Sequence, residues 1–102
     1  MALTSTTDIE ILREIGARLR AYRLQRNLAQ ADLATRAGVN RTTIRDIEAG
    51  KDSQLSTLVK LLRALGRLED IDAFLPRPSV SPIQLMKSRG KPRQRARKGA
   101  NG

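Results

Sequence analysis

The sequence predicts an all-α protein, a compact bundle of about five short helices followed by a basic, flexible tail. Apolar residues recur at intervals of three and four through residues 1–75, which is the period of a helix. No stretch alternates regularly between apolar and polar residues, so no strand is predicted. Capping residues and glycines separate the periodic segments and therefore mark the expected helix boundaries.

The first helix is predicted at about residues 8–26. Thr7 stands three residues before Glu10, which is a capping-box pattern that starts a helix. Asn27 favours the left-handed conformation that often follows the end of a helix. The apolar face of this helix comprises Leu12, Ile15, Leu19 and Tyr22.

Two shorter helices are predicted next. The second runs from Gln30 to Ala37 and ends at Gly38. Asn40 is a favourable N-cap for the third helix, which is predicted at about residues 41–49 and ends at Gly50.

Asp52 or Ser53 is expected to cap a fourth helix, and Gly66 is expected to end it. The apolar stripe of this helix, which we expect in the core, comprises Leu55, Leu58, Leu62 and Leu65. A fifth short helix is predicted at about residues 68–75.

The last part of residues 1–75 contains more apolar residues than so small a domain easily buries. Either they close the core or they form the contact surface of a dimer. They are Leu61, Leu68, Ile71, Phe74 and Leu75.

The balance of basic and acidic residues changes near residue 75. Residues 1–75 hold twelve Lys and Arg against ten Asp and Glu, whereas residues 76–102 hold eight Lys and Arg and no acid. We therefore expect a nearly neutral domain at 1–75 and a basic, largely disordered tail at 76–102. The tail is a solvated end, an arm that binds phosphates, or a segment that folds on a protein partner, and the apolar stretch VSPIQLM is the observation that supports the third alternative.

The composition argues against an enzyme. Without cysteine or histidine, the chain lacks thiolate metal ligands and the commonest general base, so neither a metal ion nor a cofactor is predicted. The scarcity of aromatic residues disfavours an RNA-binding module that stacks bases. No apolar run approaches the roughly 18 residues that a membrane span requires, and the N-terminus lacks a secretory signal pattern, so a cytoplasmic protein is expected.

The segment QADLATRAGVNRTTIRDIEAG has the spacing of a helix-turn-helix. Its expected inward-facing residues are Leu33, Ala34, Ala37, Val39, Ile44 and Ile47. Together with the flanking RLRAYRLQRNLA and LSTLVKLLRALG, this segment resembles the lambda-repressor-like (Cro/repressor, XRE-type) helix-turn-helix family from Arg18 to Leu65. In this family an arginine of the first helix pairs with the glutamate that ends the third, which implies a structural pair of Arg23 and Glu48. Ala29 departs from the pattern, because the family usually has a Ser or Thr cap there.

The resemblance implies a DNA interface. Arg41 would bind guanine and Thr42 a thymine methyl from the third helix, while Asp46 either accepts from cytosine N4 or is merely solvated. The full set of residues expected to contact DNA is Gln30, Asn40, Arg41, Thr42, Arg45, Lys51 and Ser53.

The function that the sequence predicts is a DNA-binding transcriptional regulator, a repressor that acts as a homodimer on a palindromic operator. Its dimer surface would comprise Leu68, Ile71, Phe74 and Leu75. The alternative is an antitoxin, similar to HipB-like proteins, that binds a partner toxin through its C-terminal tail and represses its own operon.

Overall fold

The computed structural model describes residues 6–79, and within them the chain forms five helices and no strand. The all-α prediction is therefore confirmed. The helices are α1 (Asp8–Gln25), α2 (Gln30–Ala37), α3 (Arg41–Glu48), α4 (Leu55–Ala64) and α5 (Asp70–Phe74). No helix in this part of the chain combines the length and the apolar character needed to span a membrane.

The chain divides into two units, Met1–Ile71 and Asp72–Gly102. The first unit contains α1 to α4 and the start of α5. Of the second unit, the structure describes residues 72–79. The apolar stretch at 80–86 and the basic run at 87–98 lie outside the described residues, so the predictions made for them remain predictions.

The capping box predicted for α1 is present. The hydroxyl of Thr7 accepts a hydrogen bond from the Glu10 N–H at 3.2 Å, and the Thr7 N–H donates to Glu10 Oε1 at 2.9 Å. At the other end, Asn27 has a φ of 56°, which turns the chain so that the Leu28 N–H reaches the Arg23 carbonyl at 3.2 Å. These local bonds explain why α1 begins and ends where its sequence signals predict.

The turn between α2 and α3 depends on Gly38. Its φ of 74° lies in the left-handed region, which a glycine adopts without steric cost. In this conformation the N–H groups of Gly38 and Val39 both reach the Ala34 carbonyl, at 2.9 and 3.0 Å. The chain therefore reverses within three residues and starts α3 at Arg41.

The core is built mainly from one face each of α2, α3 and α4. Its most deeply buried large side chains are Leu33, Ile44 and Leu61, one from each of these helices. The other buried apolar residues are Leu19, Leu28, Ala34, Ile47 and Leu65. Ala37 and Val39, also predicted to face inward, are partly buried against this cluster. Burial of these residues is the main stabilising term of the domain.

The predicted core face of α4 is partly wrong. Leu55 is 74% exposed, whereas Leu61, which was counted among the surplus apolar residues, is 1% exposed. At 3.6 residues per turn, Leu55 lies about 120° around the helix from Leu61. The buried face centres on Leu61 and Leu65, with Leu58 and Leu62 at its edge, so Leu55 points away from the core.

One predicted cap differs from the structure, and another is confirmed in position only. The N-cap of α4 is Gln54 rather than Asp52 or Ser53, because the extended loop continues one residue further before the helix begins. Asn40 occupies the N-cap position of α3, but its side chain makes no capping hydrogen bond. In addition, α5 covers only the five residues Asp70–Phe74 of the predicted 68–75.

Helix α1 crosses the end of α3 at Gly16, which is buried. A Cβ atom placed on Gly16 would lie 2.3 Å from the Ile47 carbonyl oxygen and 2.8 Å from that of Glu48. Both neighbours are backbone atoms, so they cannot turn aside as a side chain would. The absence of a side chain at this position lets α1 approach the last turn of α3 and hold it in place.

Candidate nucleic-acid interface

Helix α3 has a buried side and an exposed side. Ile44 and Ile47 lie in the core, and Ile44 is fully buried. Arg41, Thr42 and Arg45 are exposed on the opposite side of the same helix. Because residues three and four apart share a helix face, these three side chains can meet one surface together.

The polar groups on this exposed side are largely unengaged. Within residues 6–79, Arg41 and Thr42 make no side-chain hydrogen bond or ion pair, and Asn40 beside them is exposed. The Arg45 side chain is 67% exposed. A guanidinium carries five N–H donors and a hydroxyl carries one, so this surface presents mainly hydrogen-bond donors and positive charge. It is suited to an anionic partner rich in acceptors.

A buried ion pair joins α1 to the end of α3. Arg23 donates from Nε to Glu48 Oε2 at 2.7 Å and from Nη2 to Glu48 Oε1 at 2.9 Å. Its Nη1 donates to the Leu28 carbonyl at 2.7 Å. The two side chains are only 7% and 6% exposed. The hydrogen bonds to Glu48 raise the pKa of Arg23, which keeps the guanidinium charged.

Gln30 extends this network to the start of α2. Its Nε2 donates to Glu48 Oε1 at 3.1 Å. Since an ionised carboxylate only accepts hydrogen bonds, the amide nitrogen and not the oxygen must face Glu48. The sequence predicts that Gln30 contacts DNA, and it gives no signal of this internal bond. The amide nitrogen carries a second hydrogen, so one donor remains for an external acceptor.

The loop after α3 places two of the predicted residues on the surface. The side chain of Lys51 is 69% exposed, and its ammonium lies 3.6 Å from Asp46 Oδ1. Ser53 is exposed, and its N–H donates to Asp52 Oδ1 at 2.8 Å. Both residues lie between the end of α3 and the start of α4.

The start of α2 compensates in part for its missing cap. Ala29 has no side-chain acceptor, as the sequence implies. Instead, the carboxylate of Asp32 accepts from the Ala29 N–H at 2.9 Å, which is half of a capping box.

The four residues predicted for a dimer surface differ in exposure. Leu68 and Ile71 are half-buried, whereas Phe74 and Leu75 are 72% and 71% exposed. Phe74 and Leu75 are adjacent in sequence, and both are large apolar residues exposed in the single chain. Within residues 6–79, no three acidic side chains lie close enough together to hold a metal ion.

Comparison with known proteins identifies the pattern to which this geometry belongs. A family model described as "Helix-turn-helix" matches residues 19–71, which include all of α2, α3 and α4. The chain is 42% identical over 59 residues to an HTH-type transcriptional regulator of Sinorhizobium fredii, a match that covers 57% of this chain and 78% of the relative. It is 45% identical over 56 residues to one of Methanocaldococcus jannaschii, a match that covers 53% of this chain and 85% of the relative.

Proposed function

Since the chain belongs to the XRE-like helix-turn-helix family of DNA-binding transcriptional regulators, we propose that it is a repressor that acts as a dimer on a short palindromic operator. The observation that carries this proposal is the two-sided character of α3. Its inner side is fixed in the core by Ile44 and Ile47, and its outer side presents Arg41, Thr42 and Arg45 to solvent. Such a helix enters the DNA major groove without rearrangement. A protein with this task works in the cytoplasm, where the DNA of a bacterial or archaeal cell lies.

Base readout is assigned to the exposed side of α3. Arg41, in the first turn, matches the paired acceptors O6 and N7 of guanine with its planar guanidinium. Thr42 brings its methyl group to that of thymine, and Arg45 reaches a base or a phosphate one turn further along. Asn40, at the start of the helix, lies beside these residues.

Contacts to the sugar-phosphate backbone flank this readout. Gln30 lies at the start of α2 with one amide hydrogen still available. Lys51 and Ser53 lie in the exposed loop after α3. These contacts fix the position of the domain on the duplex but carry no sequence information of their own.

We expect Arg41→Ala to weaken binding to the preferred site by roughly 1–3 kcal/mol and to relax the preference at one base pair per half-site. Selection of bound duplexes from a random-sequence pool measures the preference, and titration of the selected duplex measures the affinity. Arg63→Ala is the matched control, because Arg63 is an exposed arginine in the last turn of α4. An Arg41→Ala protein that selects the same bases as wild type would remove Arg41 from the interface.

The dimer is proposed on the exposed apolar residues Phe74 and Leu75, together with Leu68 and Ile71. A two-fold dimer would set the two recognition helices about 34 Å apart, one turn of the duplex. We expect sedimentation at micromolar concentration to give a dimer for the wild type and a monomer for Phe74→Asp. Ile9→Asp is the matched control, because Ile9 is also a large exposed apolar residue, 61% exposed, but lies in the first turn of α1. A wild type that stays monomeric with and without DNA would contradict the dimer.

The antitoxin alternative depends on the tail at 76–102, most of which lies outside the described residues. It stays a prediction from sequence. Affinity purification of the natively expressed full chain separates the two functions, since a stoichiometric protein partner is expected for an antitoxin and not for a regulator that acts alone.

A further inference from the structure

An acidic side chain lies among the cations of the proposed DNA-binding surface. Asp46 Oδ1 is 3.8 Å from Arg45 Nε and 3.6 Å from Lys51 Nζ. The Asp46 side chain is 34% exposed, and those of Arg45 and Lys51 are 67% and 69% exposed. Both distances exceed that of a hydrogen bond, so the carboxylate balances two cations without fixing either. The side chains of Arg45 and Lys51 therefore keep their hydrogen-bond donors available, and both can rotate to contact a DNA phosphate.

The backbone at the end of α3 imposes this arrangement. Gly50 has a φ of 90°, and its N–H donates to the Ile47 carbonyl at 3.0 Å. The Lys51 N–H donates to the Asp46 carbonyl at 2.9 Å. This pair of bonds is the Schellman motif, which folds the chain back over the last turn of a helix. Lys51 is thereby returned to the side of Asp46.

The loop is also held against α1, which fixes the position of Lys51 further. A Cβ atom on Gly50 would lie 2.6 Å from Arg13 Cγ and 2.9 Å from Arg13 Cα. Only glycine satisfies both the left-handed φ and this close approach. The backbone of Lys51 is therefore held beside the last turn of α3, which keeps its ammonium within reach of the Asp46 carboxylate.

A carboxylate at this place has opposite effects on different DNA sequences. It is repelled by phosphates, and it offers no donor to the acceptors of guanine. Cytosine presents an amino group, N4, without a neighbouring acceptor on its major-groove edge, whereas the amino group of adenine lies beside the acceptor N7. Cytosine is thus the base whose edge satisfies the carboxylate.

We propose that Asp46 is a specificity-determining residue that acts mainly by rejection. It lowers the affinity of the α3 surface for all DNA, and a cytosine at the base pair it faces relieves this penalty. The inference rests on the proposed function and extends it, because it assigns the discrimination between specific and random DNA partly to an acid and not only to the arginines.

The plainer reading is that Asp46 makes two ordinary surface ion pairs. Exposed pairs at such distances contribute little to stability, and their loss changes DNA binding only through the net charge. Glu69→Gln is the control for that effect, since it removes one negative charge from an exposed residue on the turn before α5, outside α2 and α3.

The test compares full-length wild type, Asp46→Asn, Asp46→Glu and Glu69→Gln on a pool of random-sequence duplexes of about 24 base pairs, over a range of KCl concentrations. We expect Asp46→Asn to bind the random pool roughly tenfold more tightly than wild type near 0.1 M salt, as the removal of one charge about 4 Å from the cations suggests. The slope of log affinity against log salt should steepen by about 0.9, one additional phosphate neutralised. Asp46→Glu should stay within about twofold of wild type, because it keeps the negative charge and binding to random DNA depends mainly on charge.

Selection from the same pool supplies the second readout. We expect Asp46→Asn to lose a preference for cytosine at one position per half-site, while the position read by Arg41 is unchanged. Equal affinities of Asp46→Asn and Glu69→Gln for the random pool would overturn the inference and leave the proposed function intact, since wild type would still select a site. Failure of wild type to prefer any duplex would overturn the proposed function and this inference together. Thermal unfolding followed by circular dichroism verifies that each variant is folded.

Discussion

Replacement of Glu48 by alanine is expected to lower the free energy of unfolding by roughly 3–5 kcal/mol. The substitution leaves the guanidinium of Arg23, which is 7% exposed, without its carboxylate partner. An unpaired buried charge is far more costly than the pair itself is stabilising. Gln30 loses its hydrogen-bond acceptor at the same time. Because domains unfold with a total of only about 5–15 kcal/mol, this loss removes a large part of the stability of the protein.

Urea unfolding followed by circular dichroism measures the effect. Glu14→Ala is the matched control, since Glu14 pairs with Arg18 at a similar distance, 2.9 Å, but with side chains 31% and 49% exposed. We expect that control to cost no more than about 1 kcal/mol. The double variant Arg23→Leu/Glu48→Leu should recover much of the loss, because no buried charge remains. If Glu48→Ala is as stable as Glu14→Ala, the pair does not hold α1 to α3.

The second large effect is expected for Gly16→Ala, which should destabilise the domain by roughly 1–3 kcal/mol or more. The new methyl group would lie 2.3 Å from the Ile47 carbonyl oxygen, well inside van der Waals contact. Since the opposing atoms are backbone, α1 and α3 must move apart. Specific DNA affinity should fall as well, because α3 then shifts relative to the rest of the domain. Thermal unfolding and titration with the selected duplex measure the two losses.

The destabilisation expected for Gly16→Ala is opposite in sign to the effect that helix propensity alone predicts. Helix propensity alone favours alanine over glycine by about 1 kcal/mol in a helix interior, so a purely local view expects Gly16→Ala to stabilise the protein. Ala17→Gly, at an exposed position of the same helix, measures that local term directly and should cost about 1 kcal/mol. A more stable Gly16→Ala protein would show that the α1–α3 crossing relaxes without cost.

Sequence reasoning succeeded where structure is determined locally. The capping box of Thr7 with Glu10, the left-handed residue Asn27 and the turn at Gly38 each involve contacts within a few residues. Their signals are present in short stretches of sequence, and the boundaries of α1 to α3 follow within about one residue. The inward positions Ile44 and Ile47 follow equally well, because their helix has few other apolar residues.

The remaining features depend on contacts between distant segments. Helix α4 is so rich in leucine that its sequence fits more than one buried face, and only the packing against α2 decides between Leu55 and Leu61. From the sequence alone, Gly16 only lowers the stability of α1. Its role in packing becomes evident only from the α3 carbonyl groups that lie beside it in the structure. Gln30 meets Glu48 across 18 residues of sequence. Neither hydrophobic periodicity nor helix-capping rules predict such contacts between residues that are distant in sequence.

The two sides of α3 have a consequence for how the protein fails on heating. Ile44 and Ile47 are part of the core, so α3 cannot melt on its own while the rest of the domain stays folded. If α3 unfolded independently, the affinity for DNA would fall gradually at temperatures well below the thermal unfolding of the domain. Here the loss of DNA recognition and the collapse of the domain should coincide in one cooperative step. In a warming cell, the protein would then release DNA over a narrow range of temperature rather than gradually.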